Sequence, residues 1–205
     1  MLTPHFFKSV AEITLYDPLA EVLGAASEGI LTYSYEETVK LAGHSCPTVA
    51  GAYLMVRKGL SLLYPDTMPI RGNIRVLMQG RLGDGVVGVM ANVASFITGA
   101  TDTGGFHGLG GKYDRRGLLK FEADIQGEMA LERLDTGDRV TFSYNPKMVA
   151  GDPRMQEWLG MILAGKANFE IEKSFQNSWQ DRVKSILIDY AEHPGLVMYT
   201  FEEKK

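Results

Sequence analysis

His44 and Cys46, in the run Gly43-His44-Ser45-Cys46-Pro47, carry side chains suited to transition metals. A neutral imidazole nitrogen and a thiolate are preferred donors for zinc and other borderline or soft ions. With one residue between them in an irregular segment, both side chains can point to the same side. Pro47 suits a first helical turn, which places Cys46 at a helix start. Free backbone N–H groups and the helix dipole there favour negative charge and promote the thiolate. Read alone, the same residues also have a plainer meaning. A single Cys is usually a small buried hydrophobe, and a single His a satisfied polar group.

The elements that must hold this segment follow from patterning. Residues 11–16 predict a strand, Asp17-Pro18 starts a short helix, and residues 30–33 predict a second strand. Ser34 with Glu37 three residues on forms a capping box for a helix over 35–41. After Pro47, Val49, Tyr53, Val56, Leu60 and Leu63 recur at spacings of three and four. The other faces carry Ala50, Ala52, Leu54, Met55 and Leu62, so this helix is apolar nearly all round and must be buried. Ile74, Val76 and Met78 alternate as in a strand. A helix over about 86–97 follows, with Asp84 as its expected cap. Residues 118–125 and 128–134 are expected to be extended, with a hairpin turn at 135–138 leading into 139–144.

From residue 150 the pattern changes. Asp152-Pro153 starts a helix whose apolar side is Met155, Trp158, Leu159, Ile162 and Leu163. A second helix spans about 174–190, with Phe175, Trp179, Val183, Ile186 and Leu187 facing inward, and a last strand runs over 196–201. Segregated strands and packed helices point to α+β.

Bulk properties narrow the function. The 205 residues, 45% hydrophobic and 22% charged, fit an ordinary globular protein, and the net charge of −4 gives no basis for nucleic-acid binding. No apolar stretch predicts a membrane span and no secretory leader is evident, so a cytoplasmic protein is expected. One cysteine excludes an intramolecular disulfide.

The run Leu41-Ala42-Gly43-His44-Ser45-Cys46-Pro47, with Gly51 in the following apolar helix, resembles the signature of the formylmethanofuran dehydrogenase E-type subunit family. That pattern is G-H-x-C-P with a glycine a few residues into the helix. A looser likeness continues through Gly99-Ala100-Thr101, the Gly-rich loop with Lys112, and Leu118-Leu119-Lys120-Phe121, so that it covers residues 30–125. The resemblance implies a metal-binding α+β protein: a mixed β-sheet packed against a buried central helix, similar to the C-terminal-like domain of glyceraldehyde-phosphate dehydrogenases. Residues 1–149 would form the family's metal-binding domain, and 150–205 a helical extension packed on it. It further implies His44 and Cys46 as ligands, zinc as the metal (nickel or iron as alternatives) and a homodimer. The Trp158 and Trp179 helices are the expected contact surfaces.

The chain departs from the family pattern at Ala100, where a second cysteine is common, and in lacking a cysteine-rich C-terminal module. His107, seven residues on in the Gly-rich loop, is the candidate replacement ligand; its plain reading is a surface loop histidine. His44, Cys46 and His107 would leave an open coordination position for a small-molecule substrate. Asp84, Asp102 and Lys112 are candidate acid–base partners, and the sequence does not choose among them. A noncatalytic carrier of a metal or metal-bearing cofactor, serving a partner enzyme, is the alternative reading.

Overall fold

The computed structural model describes residues 3–204. Its organising element is the helix Pro47–Leu63 (α3), in which eleven of seventeen residues are buried. With its polar residues confined mainly to a corner at Arg57, Lys58 and Ser61, such a helix needs cover on nearly every side. A five-stranded sheet supplies one side. Its strands are Ile74–Met78 (β3), Leu119–Lys120 (β4), Met129–Arg133 (β5), Arg139–Tyr144 (β6) and Val197–Glu202 (β7). The spatial order is β4-β3-β5-β6-β7, with β3 and β4 parallel and the other neighbours antiparallel. The register sets Val76, Leu131 and Val140 side by side on one face, and all three are fully buried.

The other sides of α3 are covered by Tyr35–Ala42 (α2), Val87–Thr98 (α4) and the turn that ends Phe169–Lys184 (α6). A two-stranded antiparallel hairpin, Ile13–Tyr16 (β1) with Ile30–Tyr33 (β2), and the short helix Pro18–Val22 (α1) complete the amino-terminal part. The α+β reading with a mixed sheet and a buried central helix is what is observed. No helix among the described residues is long and apolar enough to cross a membrane.

Local expectations hold where a side chain acts on its own backbone. Asp17 caps α1, and Ser34 and Glu37 form the capping box of α2. They fail at several element ends. Asp84 does not cap α4; its Oδ2 accepts from the Arg81 amide at 2.9 Å, and Val86 holds the cap position without a side-chain bond. The extended stretch expected over 118–125 stops after two paired residues, because Glu122 turns to φ 55° and Ala123 donates back to the Met78 carbonyl. The last long helix starts earlier than its apolar spacing suggests, since Asn168 Oδ1 accepts from the Ile171 amide at 3.0 Å and caps it. It ends in a wider turn over Ser185–Asp189. The helix Met155–Leu163 (α5) has no buried residue; it packs on α6, and Leu163 is 79% exposed.

Two glycines let α3 lie close to the sheet. A Cβ on Gly51 would run into the Tyr144 ring, and one on Gly59 would meet Leu131 and come within 3.1 Å of Phe142. Gly51→Ala is therefore expected to displace Tyr144 and destabilise the fold by about 1–3 kcal/mol, the usual cost of overpacking. A chemical denaturation curve checks this; unchanged stability would show that the approach is not tight.

Candidate functional site

The segment between α2 and α3 is built by two helix ends meeting. Gly43 terminates α2 at φ 74°, a left-handed conformation that suits glycine, and its amide donates to the Val39 carbonyl. Cys46 is the N-cap of α3, and its Sγ accepts from the Val49 amide at 3.5 Å. The sulfur thus takes the place of a capping oxygen, at the end of a long helix where negative charge is favoured.

Ser45, between the two candidate ligands, is 9% exposed and held from three directions. Its hydroxyl lies 3.0 Å from the Tyr35 hydroxyl of α2. Its carbonyl accepts from Trp179 Nε1 at 2.9 Å and Gln180 Nε2 at 3.2 Å, both from α6. Two residues further on, the Tyr144 hydroxyl of β6 donates to the Pro47 carbonyl at 2.7 Å. Burial pushes the Tyr35 and Tyr144 phenols above their ordinary range, so both stay neutral hydrogen-bonding groups. The expected helical extension therefore reaches back and grips the middle residue of the motif.

The clamp leaves His44 outside. His44 is exposed, and its Nδ1 lies 2.9 Å from the Ala42 carbonyl. A carbonyl only accepts, so in the neutral ring Nδ1 carries the hydrogen and Nε2 keeps a free lone pair. Cys46 is half-buried against the core. Gly43 and Ser45 line a groove of 1110 Å³ between α2, the amino-terminal turn and α6, whose walls include Phe6, Val39, Lys40, Phe175, Trp179 and Gln180. His44 instead borders a separate hollow of 100 Å³ against Val89, Asn92 and Val93 of α4.

His107 sits exposed in the Gly-rich loop. Its charged neighbour there is Asp114, whose carboxyl is held down to about 2, chiefly by a hydrogen bond from Arg116 with a smaller contribution from His107. Among the described residues, no three or more His, Cys, Asp or Glu side chains come together in a group that could hold a metal ion. His44, Cys46 and His107 are accordingly not gathered into one three-donor set. Ala100, where the family pattern has cysteine, is fully buried. Asp84, Asp102 and Lys112 are all exposed.

One buried polar cluster had no local signature in the sequence. Asp17 Oδ2 pairs with Arg71 Nη1 at 2.9 Å, and its Oδ1 with Arg115 Nη2 at 2.7 Å. Oδ1 also accepts from the Leu19 and Ala20 amides. Arg115 belongs to the Gly-rich loop, so this carboxylate ties the loop to the start of α1. The partners lie 54 and 98 residues away, beyond any spacing rule.

No family model matches the chain, and no curated protein sequence matches it.

Burial alone would raise the Asp17 carboxyl, but the hydrogen bond from Arg71 and the charge of Arg115 outweigh it and hold it below its ordinary 3.8. Its stabilising contribution is thus complete above the unfolded-state value and is lost as pH falls toward the lowered folded one. Asp17→Asn is expected to cost about 3 kcal/mol by leaving Arg115 buried beside a neutral partner, and to flatten the acid limb of the stability curve. Thermal melts of both proteins between neutral and strongly acidic pH measure this; parallel curves would remove Asp17 from the acid transition.

Proposed function

We propose that the chain is a metal-binding protein in the manner of the formylmethanofuran dehydrogenase E-type subunit family, with His44 and Cys46 as its two protein donors. The observation that carries this is the pairing of a free, exposed imidazole Nε2 with a thiol two residues on at a helix N-cap. The Ala42 carbonyl fixes the histidine tautomer and leaves Nε2 free, and the Cys46 sulfur stands at the N-cap of α3. Zinc suits one nitrogen and one sulfur donor; nickel and iron share that ligand preference.

Two donors do not close a tetrahedral site. The remaining positions are then filled from outside this set, by a small molecule, a metal-bearing cofactor or a partner protein. That count favours the role of noncatalytic carrier, handing a metal or a metal-bearing cofactor to a partner enzyme. The groove walled by Phe175 and Trp179, with Gly43 and Ser45 in its lining, offers room for the organic part of such a cargo. A metal-dependent enzyme is the second reading, favoured only if the Gly-rich loop brings His107 to the pair and leaves one position open to substrate.

Elemental analysis of the purified protein after zinc loading and desalting separates these readings. Retention is expected to fall at least tenfold in His44→Ala and in Cys46→Ser, with circular dichroism unchanged. His107→Ala is expected to retain metal as the parent does under the carrier reading and to lose it under the enzymatic one. Full retention by Cys46→Ser would refute metal binding at this segment.

A further inference from the structure

The strand β7 is the carboxy-terminal edge of the sheet, and among the described residues no strand pairs with its outer side. Register and hydrogen-bond parity together define what that side offers. Asn145 donates to the Leu196 carbonyl at 2.9 Å, in the same register that pairs Ser143 with Met198 and Thr141 with Thr200. In an antiparallel ladder, bonded pairs recur every second residue. The even-numbered residues of β7 therefore spend their backbone groups on β6, and Val197, Tyr199 and Phe201 turn theirs outward.

The side chains of those same three residues continue the inner apolar face of the sheet. Phe201 stands beside Val140, Tyr199 beside Phe142 and Val197 beside Tyr144. Val140 and Phe142 are fully buried, whereas Tyr199 is 46% and Phe201 45% exposed. The core's apolar rows thus run out onto an edge strand that the helices do not cover. Edge strands are normally guarded by prolines, bulges or inward-pointing charges. Residues 197–201, Val-Met-Tyr-Thr-Phe, contain neither proline nor charge.

This edge is self-complementary. Under a twofold axis through Tyr199, an antiparallel second copy opposes Tyr199 to its own mate and Val197 to Phe201, each pair in outward hydrogen-bonding parity. On the opposite face Met198 meets Thr200, and Glu202 falls opposite Leu196 rather than another carboxylate. Aromatic and β-branched cross-strand pairs of this kind stabilise sheets, and a twofold contact requires one patch to match itself. We infer that two copies of the chain join through β7, doubling the five-stranded sheet into one continuous sheet. Trp179 itself is turned toward the motif, its Nε1 donating to the Ser45 carbonyl.

Sedimentation equilibrium of the metal-free full chain at tens of micromolar tests the inference, with Tyr199→Lys and Tyr199→Pro alongside. The parent is expected at twice the 22.6 kDa of one chain. Both variants are expected as monomers with unchanged far-ultraviolet circular dichroism. Lysine sets like charges face to face across the axis, and proline deletes an amide that β6 does not use. A monomeric parent, or a dimer that persists in both folded variants, overturns the proposal; the latter places the contact elsewhere, such as the exposed Leu163 and Phe169 of the α5–α6 hairpin. Should either variant unfold, hydrogen exchange on the parent decides. Slow exchange at the Val197, Tyr199 and Phe201 amides, fading on dilution, supports the pairing, and fast exchange at all concentrations refutes it.

Discussion

A seventeen-residue helix that is apolar on nearly all its faces has to be covered on almost every side, and the rest of the molecule is arranged to do that. The sheet takes one side of α3, at the close distance that Gly51 and Gly59 allow. The helices α2 and α4 and the end of α6 take the others. Burying a helix this completely also fixes its first residue in space. Cys46 is that residue's immediate neighbour, so core packing adds to the local N-cap bond in fixing the position of the thiol.

The same logic explains why the chain beyond residue 150 matters to residues 43–47. Where a loop joining two helix ends passes through a buried residue such as Ser45, its backbone groups need partners. Trp179 and Gln180 supply them for Ser45, and Tyr144 supplies one for Pro47. The exposed imidazole of His44 is tied only through Nδ1, to the Ala42 carbonyl. The neighbouring groove lies along the same segment without including His44.

Much of this was legible in the sequence where the physics is local. The capping box at Ser34, the Asp17 cap, the all-round apolar α3 and the 135–138 hairpin turn each depend on residues within a few positions of one another. The Ser45 clamp spans 134 residues and the Asp17–Arg115 pair 98, and no periodicity encodes such distances. The apolar stripe of α5 is a related case. Spacing identifies a face but not whether anything covers it, and α5 packs chiefly on α6 with no residue buried. His107 shows the limit for the site itself: a donor type in a glycine-rich loop is readable, while the loop's destination depends on Arg115 anchoring it to Asp17.

Cobalt(II) titration followed by near-ultraviolet and visible absorption addresses the central assignment most directly, because a thiolate-to-cobalt charge-transfer band reports sulfur ligation itself. The parent should develop that band to saturation at one metal per chain, and it should vanish in Cys46→Ser while weakening or shifting in His44→Ala. A parent that binds cobalt without the band, or a band untouched by either substitution, would contradict His44 and Cys46 as the metal pair.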